Sequence, residues 1–299
     1  MKKLILRTFI LTSFIACQNK NEQAGEPAIV IKGSDTEFEL VSEFARIFSE
    51  REGIVMDVEG KGSSSGIEKL IEGKIDIANS SREITEEERQ EALQNGVNPV
   101  QAIIATDAIA FITHPQLGID SLSVIQLKQI LSGHIVNWSE LGGPDLPIKI
   151  YGRNTKSGTY KFIQNRFVRE TGFVKTMIQL ESNKAIINAV KEDPAGIGYV
   201  GAGFIMEQNG KPVSDIWALY LYTDGGKSYS PYETIAVNNG DYPVIRPLYQ
   251  YFNGKPNGIV QSFLKFELSE EGQKIARDYG YFPISSFDES INAKNGISF

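Results

Sequence analysis

Arg153 stands four residues before a turn of small residues, Ser157-Gly158-Thr159, in the stretch RNTKSGTYKFIQNRF. Apolar and aromatic side chains then recur at i, i+3 and i+7, which is the spacing of one helix face. The turn therefore lies where the first backbone N–H groups of a helix have no partner within the helix. Arginine presents a planar fork of donors that suits a tetrahedral oxyanion. This pattern is typical of a site that binds an anion.

Two further turns of the same kind follow predicted strands, GSDT at 33–36 and GSSSG at 62–66. Each would place hydroxyls and free N–H groups at the positive end of a helix dipole. Ser and Thr are also the commonest helix caps, so capping is the better explanation of any one turn taken alone. Three such turns with an arginine in register favour an anion site built from several loops. The segment SSR at 80–82 is either a fourth contact or a turn whose arginine is solvated.

Other chemistries have little support in the sequence. The segment GKGSSS at 60–65 nearly matches the dinucleotide motif G-x-G-x-x-G but ends in serine, and no Walker loop is present. His114 and His134 are isolated, without the spacing of a metal site. No nucleophile-elbow G-x-S-x-G occurs. We therefore predict no cofactor, no metal and no catalytic residues.

The chain has 299 residues and a net charge of −7. This length favours two domains, each long enough for its own core. The negative charge argues against a nucleic-acid partner, which would call for a basic stripe. It allows a small anionic ligand, because a local site can be positive on a negative protein.

The N-terminus has the pattern of a secretory signal. Basic residues flank an apolar run at 4–16, which is too short for an ordinary membrane-spanning helix. The run ends in FIAC, and Cys17 is the only cysteine. Cys17 is either a spare thiol or the lipidated cysteine of a segment that resembles a bacterial lipobox. We predict a lipoprotein signal at 1–17 and a polar tether at 18–27.

Strands alternate with helices along the rest of the chain, which predicts an α/β fold with a mostly parallel sheet covered on both faces. Two long extended segments, 101–115 and 242–252, are candidates for crossings between two lobes. Predicted strands lie at 29–31, 54–58, 75–80, 148–152 and 197–200, and the last predicted helices lie at 258–267 and 269–279.

With these elements in order, the sequence resembles the substrate-binding proteins of phosphate ABC transporters across roughly residues 28–285. The most distinctive match is LSVIQLKQILSGHIVNWSELGG at 122–143. The other matching segments, in chain order, are GSDT, GKGSSSGI, DIANSSR, RNTKSGTY, AGIGYVG, YPVIRPLYQYF and LSEEGQKIARDYGYFPI.

This resemblance implies a two-lobed periplasmic-binding-protein fold of type II, with a mixed sheet flanked by helices in each lobe and the ligand in the cleft between them. Lobe 1 would comprise 28–112 and 246–299, and lobe 2 would comprise 113–245. The implied phosphate contacts are Ser34, Thr36, Ser63 and Ser81 from lobe 1 and Arg153, Ser157, Gly158 and Thr159 from lobe 2.

The sequence departs from the family pattern at two positions. Many members have an aspartate where this chain has Ser81, and that carboxylate accepts the proton of hydrogen phosphate. Because fully ionised sulfate has no proton to donate, its rejection is less secure with serine, unless Asp35 supplies the acceptor. Asp35 is equally explained as a capping residue. Many members also have an acidic partner for the arginine where this chain has Thr155.

The resemblance implies a monomeric receptor, tethered to a bacterial membrane in the periplasm or at the cell surface, that passes inorganic phosphate to an ABC permease. The first alternative is the same fold binding another oxyanion such as sulfate. A sensor that retained the fold is a second alternative, and a phosphohydrolase is the least favoured.

Overall fold

The computed structural model describes residues 27–207, 211–223 and 225–298. Cys17, the predicted signal segment and the tether up to residue 26 lie outside the described residues. Among the described helices, none combines the length and the apolar character needed to cross a membrane.

The described residues form eleven strands and ten helices that alternate along much of the chain. The strands are β1 Ile29–Gly33, β2 Met56–Gly60, β3 Ile77–Ser80, β4 Pro99–Thr113, β5 Ser121–Ser123, β6 Lys149–Arg153, β7 Ile178–Leu180, β8 Gly196–Gly201, β9 Trp217–Ala218, β10 Tyr220–Tyr222 and β11 Ile245–Asn253. The helices are α1 Phe38–Glu52, α2 Ser63–Ile71, α3 Glu86–Gln94, α4 Val124–Ser132, α5 Gly158–Phe167, α6 Asn183–Glu192, α7 Thr234–Asn238, α8 Gly258–Leu268, α9 Glu270–Asp278 and α10 Ser286–Lys294.

The main sheet of the described chain has the strand order β2-β1-β3-β11-β4-β8-β6-β7, with β9 also paired to β4. The pairs of β1 with β2 and β3, and of β6 with β7 and β8, are parallel. The crossing strands β4 and β11 run antiparallel to their neighbours. The mixed sheet of the predicted α/β fold is therefore confirmed.

Strand β4 is long enough to serve two groups of strands. Its residues up to Ala108 pair with β11, and those from Ile109 pair with β8. We call β2, β1, β3, β11 and the first part of β4 the first half-sheet, and the remaining strands of the main sheet the second half-sheet. Each half-sheet carries buried apolar clusters of its own. The lobe boundaries at 112/113 and 245/246 stay a prediction.

Helix α10 lies beyond the two C-terminal helices that the sequence predicts. Its sequence is polar, so it lacks the apolar stripe on which a pattern search depends. It is held by Asn292, whose side-chain amide accepts from Ile103 N at 2.7 Å and donates to Ile103 O at 2.9 Å. A capping box between Ser285 and Asp288 begins the helix. The buried side-chain amide of Asn292 therefore anchors α10 to β4, whereas apolar side chains anchor helices such as α1.

Candidate functional site

The first loop connects β1 to α1 and brings Ser34 and Thr36 into the interior. Gly33 has a φ of +143°, and a Cβ added there would collide with the carbonyl of Asn79 on β3. The backbone N–H of Ser34 donates to that carbonyl at 2.9 Å. Glycine is therefore needed where the loop leaves the sheet beside β3.

The second loop connects β2 to α2 and contacts the third loop, which follows β6. Gly62 has a φ of +97°, and an added Cβ would lie 2.8 Å from the carbonyl of Lys156. The N–H of Ser64 donates to the same carbonyl at 3.2 Å. Ser63 accepts through its Oγ from the N–H of Ser81 at 3.1 Å, which joins this loop to the end of β3.

The third loop follows β6 and begins α5 at Gly158. The Ser157 Oγ accepts from Tyr160 N at 3.3 Å, so the capping interpretation of this serine is confirmed. Gly158 leaves no room for a side chain, because an added Cβ would lie 2.6 Å from Ser81 Oγ and even nearer to Ser63 Oγ. The first turn of α5 is therefore pressed directly against the first two loops.

The three loops and the end of β3 bring five hydroxyl groups together in what we call the hydroxyl cluster. Its members are Ser34, Thr36, Ser63, Ser81 and Thr159, and each is at most 2% exposed. The Ser34 hydroxyl donates to Ser81 Oγ at 3.2 Å, and the Oγ atoms of Ser63 and Ser81 are 3.3 Å apart. Thr36 and Thr159 approach to 3.2 Å between their Oγ1 atoms. Groups that can donate or accept thus converge from both half-sheets.

Arg153 lies beside the first loop and is almost fully buried. Its Nη1 donates to Asp35 Oδ2 at 2.9 Å, and its Nη2 donates to the carbonyl of Glu181 at 2.8 Å. Its Nε is buried and has no partner among the described residues. Burial lowers the pKa of Arg153, and the charge of Asp35 opposes that effect. Arg153 therefore retains a donor that an anion could use.

Asp35 supplies the carboxylate partner that the family pattern places at Thr155. Besides Arg153, its Oδ2 accepts from Nδ2 of Asn183 at 2.9 Å. Thr155 instead lines a groove at the edge of the site. These partners all bind Oδ2, so the suggestion that Asp35 accepts the proton of the ligand stays a prediction.

Arg246 on β11 is a second arginine at the site, and the sequence analysis missed it. Its Nη2 donates to Thr36 Oγ1 at 3.2 Å and to Thr159 Oγ1 at 3.0 Å, and its Nη1 donates to the Ser81 carbonyl at 3.1 Å. The same guanidinium binds Asp107 Oδ2 through Nε at 3.1 Å and Nη2 at 2.8 Å. Burial raises the pKa of the Asp107 carboxyl, and Arg246 opposes that effect.

A signal for this ion pair was present in the sequence. Asp107 and Arg246 are single charges within the two long apolar segments predicted to cross the molecule. In the structure the two residues are directly opposite in the register of β4 and β11. A charge in a buried strand calls for a partner of opposite sign, and the paired register supplies it.

The two ion pairs leave little net charge at the hydroxyl cluster. Arg153 is paired with Asp35 and Arg246 with Asp107, both through buried or half-buried contacts. An anion would therefore be held mainly by hydroxyls, by the positive ends of α2 and α5 and by the remaining guanidinium N–H groups. Arg153 is therefore not the only cation beside the cluster, because Arg246 contacts the hydroxyls of Thr36 and Thr159.

Arg82 lies outside the hydroxyl cluster. It binds Glu88 through Nη1 at 2.8 Å and Nη2 at 2.6 Å, and it donates to Ser64 Oγ at 3.1 Å. Its side chain is largely buried, so the alternative that Arg82 is a solvated arginine of a turn is wrong. A groove of about 810 Å³ runs past Arg82 and reaches Ser81 and Arg246. Arg82 thus lines the approach to the cluster.

The structure brings the eight predicted site residues into one region. Ser34, Thr36, Ser63, Ser81, Gly158 and Thr159 contact one another or share the same packed space. Ser157 lies next to them but turns its hydroxyl to its own helix, and Arg153 reaches the first loop through Asp35. Their role as ligand contacts stays a prediction. Within the described part of the chain, no group of three or more His, Cys, Asp or Glu could hold a metal ion.

Known proteins resemble this chain over most of its length. The chain is 29% identical over 295 residues to a phosphate-binding protein PstS of Borreliella burgdorferi, covering 96% of this chain and all of the relative. It is 30% identical over 226 residues to a phosphate-binding protein PstS of Staphylococcus aureus strain USA300, covering 74% of this chain and 67% of the relative.

A solved structure shares the fold. A chain from Clostridium perfringens, assigned to the substrate-binding proteins of phosphate ABC transporters and crystallised with bound phosphate, superposes with a TM-score of 0.75 at 28% identity. The superposition covers 86% of this chain and 99% of that one. The profile of the family described as "PBP superfamily domain" matches residues 19–271. The chain therefore belongs to the PBP superfamily and, within it, to the family of the phosphate ABC transporter substrate-binding proteins.

Proposed function

We propose that this chain captures inorganic phosphate outside the cytoplasm and delivers it to the membrane subunits of an ABC permease. The observation that carries the proposal is the buried hydroxyl cluster, which two arginines and the N-terminus of α5 adjoin. Such a set of donors can replace the hydration shell of a tetrahedral oxyanion and bind it without changing it chemically. Family membership adds support, since relatives are named as phosphate-binding proteins.

Each group has a definite role in this proposal. The hydroxyls of Ser34, Thr36, Ser63 and Ser81 would donate from the first half-sheet. The hydroxyl of Thr159 and the N–H groups of Gly158 and Thr159 would donate from the second, with Ser157 holding the helix turn that presents them. Arg153 and Arg246 would add charge-assisted bonds. Closure of the two half-sheets on the ion would create the surface that the permease recognises.

The test is calorimetric titration of the protein lacking residues 1–17 with phosphate and with sulfate. We expect phosphate to bind with one site per chain. Binding of neither anion would contradict the proposal, and so would turnover of a chromogenic phosphate ester, which would favour a phosphohydrolase.

Sulfate is the second candidate ligand, and Ser81 is the observation that favours it. A buried carboxylate at this position would require a ligand that donates a proton, whereas a serine hydroxyl can donate to a fully ionised anion. Competition between phosphate and sulfate across pH 5 to 8 separates the two ligands. A sulfate affinity equal to that for phosphate would make this chain a general oxyanion receptor.

The cellular setting belongs to the same proposal. A receptor of this kind would be held at the membrane through lipidated Cys17 and would act as a monomer without catalytic activity. Labelling with a radioactive fatty acid tests the anchor, with Cys17→Ser as the control. Phosphate uptake by cells lacking the chain distinguishes transport from a sensing role.

A further inference from the structure

Glu37 is a buried carboxyl group next to the hydroxyl cluster. It follows Thr36 directly, precedes the first residue of α1 and is 0% exposed. Neither of its carboxyl oxygens has a hydrogen bond of normal geometry to a described residue. The closest favourable groups are the Ser34 hydroxyl, which itself donates to Ser81, and the backbone of Ser80. Glu37 thus lies one hydroxyl away from Ser81.

Charged groups from several elements face Glu37. Arg246 on β11 favours its ionised form, whereas Asp107 on β4 and Glu267 on α8 disfavour it, and the buried Tyr281 hydroxyl also lies in its field. Arg246 is the cation that favours a charge on Glu37, and Asp107 already neutralises it, so these described groups do not compensate that charge. Burial therefore raises the pKa of Glu37 to about 8.

Several buried polar side chains in the same region have more acceptor atoms than donors available to them. Gln250 lies opposite Asn79 in the register of β11 and β3, and its Nε2 donates to Glu267 Oε1 at 2.9 Å. The unpartnered atoms of these side chains among the described residues are all oxygens: both of Glu37, Oδ1 of Asn79, Oε1 of Gln250 and Oε2 of Glu267. Buried acceptors without donors are costly, and a proton on a carboxyl group converts one acceptor into a donor. This group of buried oxygens therefore favours protonated carboxyl groups.

We propose that Glu37 couples anion binding to proton uptake, because it must be protonated whenever the hydroxyl cluster holds an anion. The inference rests on the proposed function. A dianion within a few bonds of Glu37 opposes a second negative charge there, so its carboxylate takes a proton from solvent as the ion binds. Only an O–H bond forms, and the site gains one positive charge.

The sign and pH range follow from the raised pKa. Below about pH 7 Glu37 already carries its proton in the free protein, so binding draws no proton to it. Above about pH 8 the free carboxyl is mostly ionised, and each bound anion then takes up a proton. Affinity should fall by up to about tenfold per pH unit in that range, because one proton is linked to binding.

The experiment is titration calorimetry with inorganic phosphate at pH 9, in two buffers of different ionisation enthalpy. Phosphate is already a dianion there, so uptake reports on the protein. Wild type should take up more than about half a proton per phosphate, because roughly one titrating group is linked to phosphate binding. Glu37→Gln should take up almost none, and its affinity should stay level between pH 8 and 9.5. Glu39→Gln, which removes an exposed carboxylate of α1 paired with Lys184, is the matched control and should behave as wild type.

Three outcomes would overturn the inference: no uptake by wild type, equal uptake by Glu37→Gln, or loss of uptake in Glu39→Gln. If Glu37→Gln does not fold, infrared difference spectra of wild type at pH 9 decide. Phosphate should then produce the C=O band of a protonated carboxyl, and its absence would contradict proton uptake by a buried glutamate. Phosphate binding without uptake would sink this inference alone, whereas no phosphate binding would sink the proposed function with it.

Discussion

At the scale of single residues, the two site arginines differ in what holds them. Arg246 is fixed by Asp107 within the paired strands β11 and β4, and each partner is almost fully buried. Arg153 is held by Asp35, whose side chain is 20% exposed, and by the Glu181 carbonyl. Removing Arg246 would leave Asp107 buried and unpaired, which costs about 3–5 kcal/mol of stability. Arg153 is therefore the better arginine for a binding test.

Arg153→Ala should weaken phosphate binding by at least about tenfold, because a charge-assisted hydrogen bond contributes about 1.5–3 kcal/mol. Calorimetric titration measures the loss. Arg82→Ala is the matched control, since Arg82 is an arginine paired with Glu88 that lines the groove outside the cluster. We expect it to change affinity less than about threefold, below about 1 kcal/mol, because Arg82 contacts no member of the hydroxyl cluster. Equal losses in both variants would argue against the site assignment.

Ser81→Asp should increase the preference for phosphate over sulfate at pH 7. The new carboxylate would lie near the hydroxyls of Ser34 and Ser63, where it needs a donor from the ligand. We expect the preference to rise by at least about tenfold, because an unpaired buried acceptor costs about 1–3 kcal/mol. Competition titration measures the ratio. Ser81→Ala should lower both affinities alike, and a rise in sulfate affinity in Ser81→Asp would contradict the argument.

At the scale of elements, the loops that begin α2 and α5 bring the first turns of these helices to the cluster. Helix α5 begins with a Ser157 cap, and the donors of Gly158 and Thr159 depend on the order of that turn. A similar serine, Ser269, caps α9 by accepting from Gly272 N at 3.1 Å, at a place unrelated to the cluster. The two caps allow stability and binding to be separated.

Ser157→Ala and Ser269→Ala should each lower the free energy of unfolding by about 1 kcal/mol, the usual cost of a lost cap. Urea denaturation measures this loss. Only Ser157→Ala should also weaken phosphate binding, because its helix turn presents the proposed donors. If Ser269→Ala weakened binding as much, the effect of Ser157 would be one of general stability.

The same elements explain what the sequence could predict. Glycine, serine and threonine directly after a strand are a local pattern, so the three loops could be found without a structure, whereas the individual contact residues were implied by the family resemblance. The contact between Asp107 and Arg246 could not be predicted, because it depends on the register of β4 with β11. The partners of Asp35 could likewise not be predicted, because α6 brings Asn183 to it from a distant part of the sequence. Contacts between residues far apart in the sequence were the part that local pattern could not supply.

At the scale of the whole molecule, the half-sheets are joined in two ways. Strand β4 passes through both, and β11 runs beside its first part. Across the site they meet through Asp35 with Arg153 and Asn183, Thr36 with Thr159, and Ser64 with Lys156. A ligand held between them adds further bonds that the unfolded chain cannot make.

Phosphate should therefore raise the melting temperature. At a free concentration of 100 times Kd it adds about 2.7 kcal/mol to the free energy of unfolding. For a chain of 299 residues that corresponds to roughly 4–5 °C. Scanning calorimetry measures the shift, with chloride at the same ionic strength as the control. A shift equal to that of chloride would indicate screening rather than binding.

The ion pair of Asp35 with Arg153 crosses between the half-sheets, whereas that of Arg246 with Asp107 does not. Separation of the half-sheets would break the first pair and keep the second. The second half-sheet would then present an unpaired guanidinium beside the α5 N-terminus, and the first would present the freed carboxylate of Asp35. An arriving anion would be attracted to one face and repelled by the other. We therefore expect the ion to meet the α5 side first and the hydroxyls of the first half-sheet to close over it afterwards.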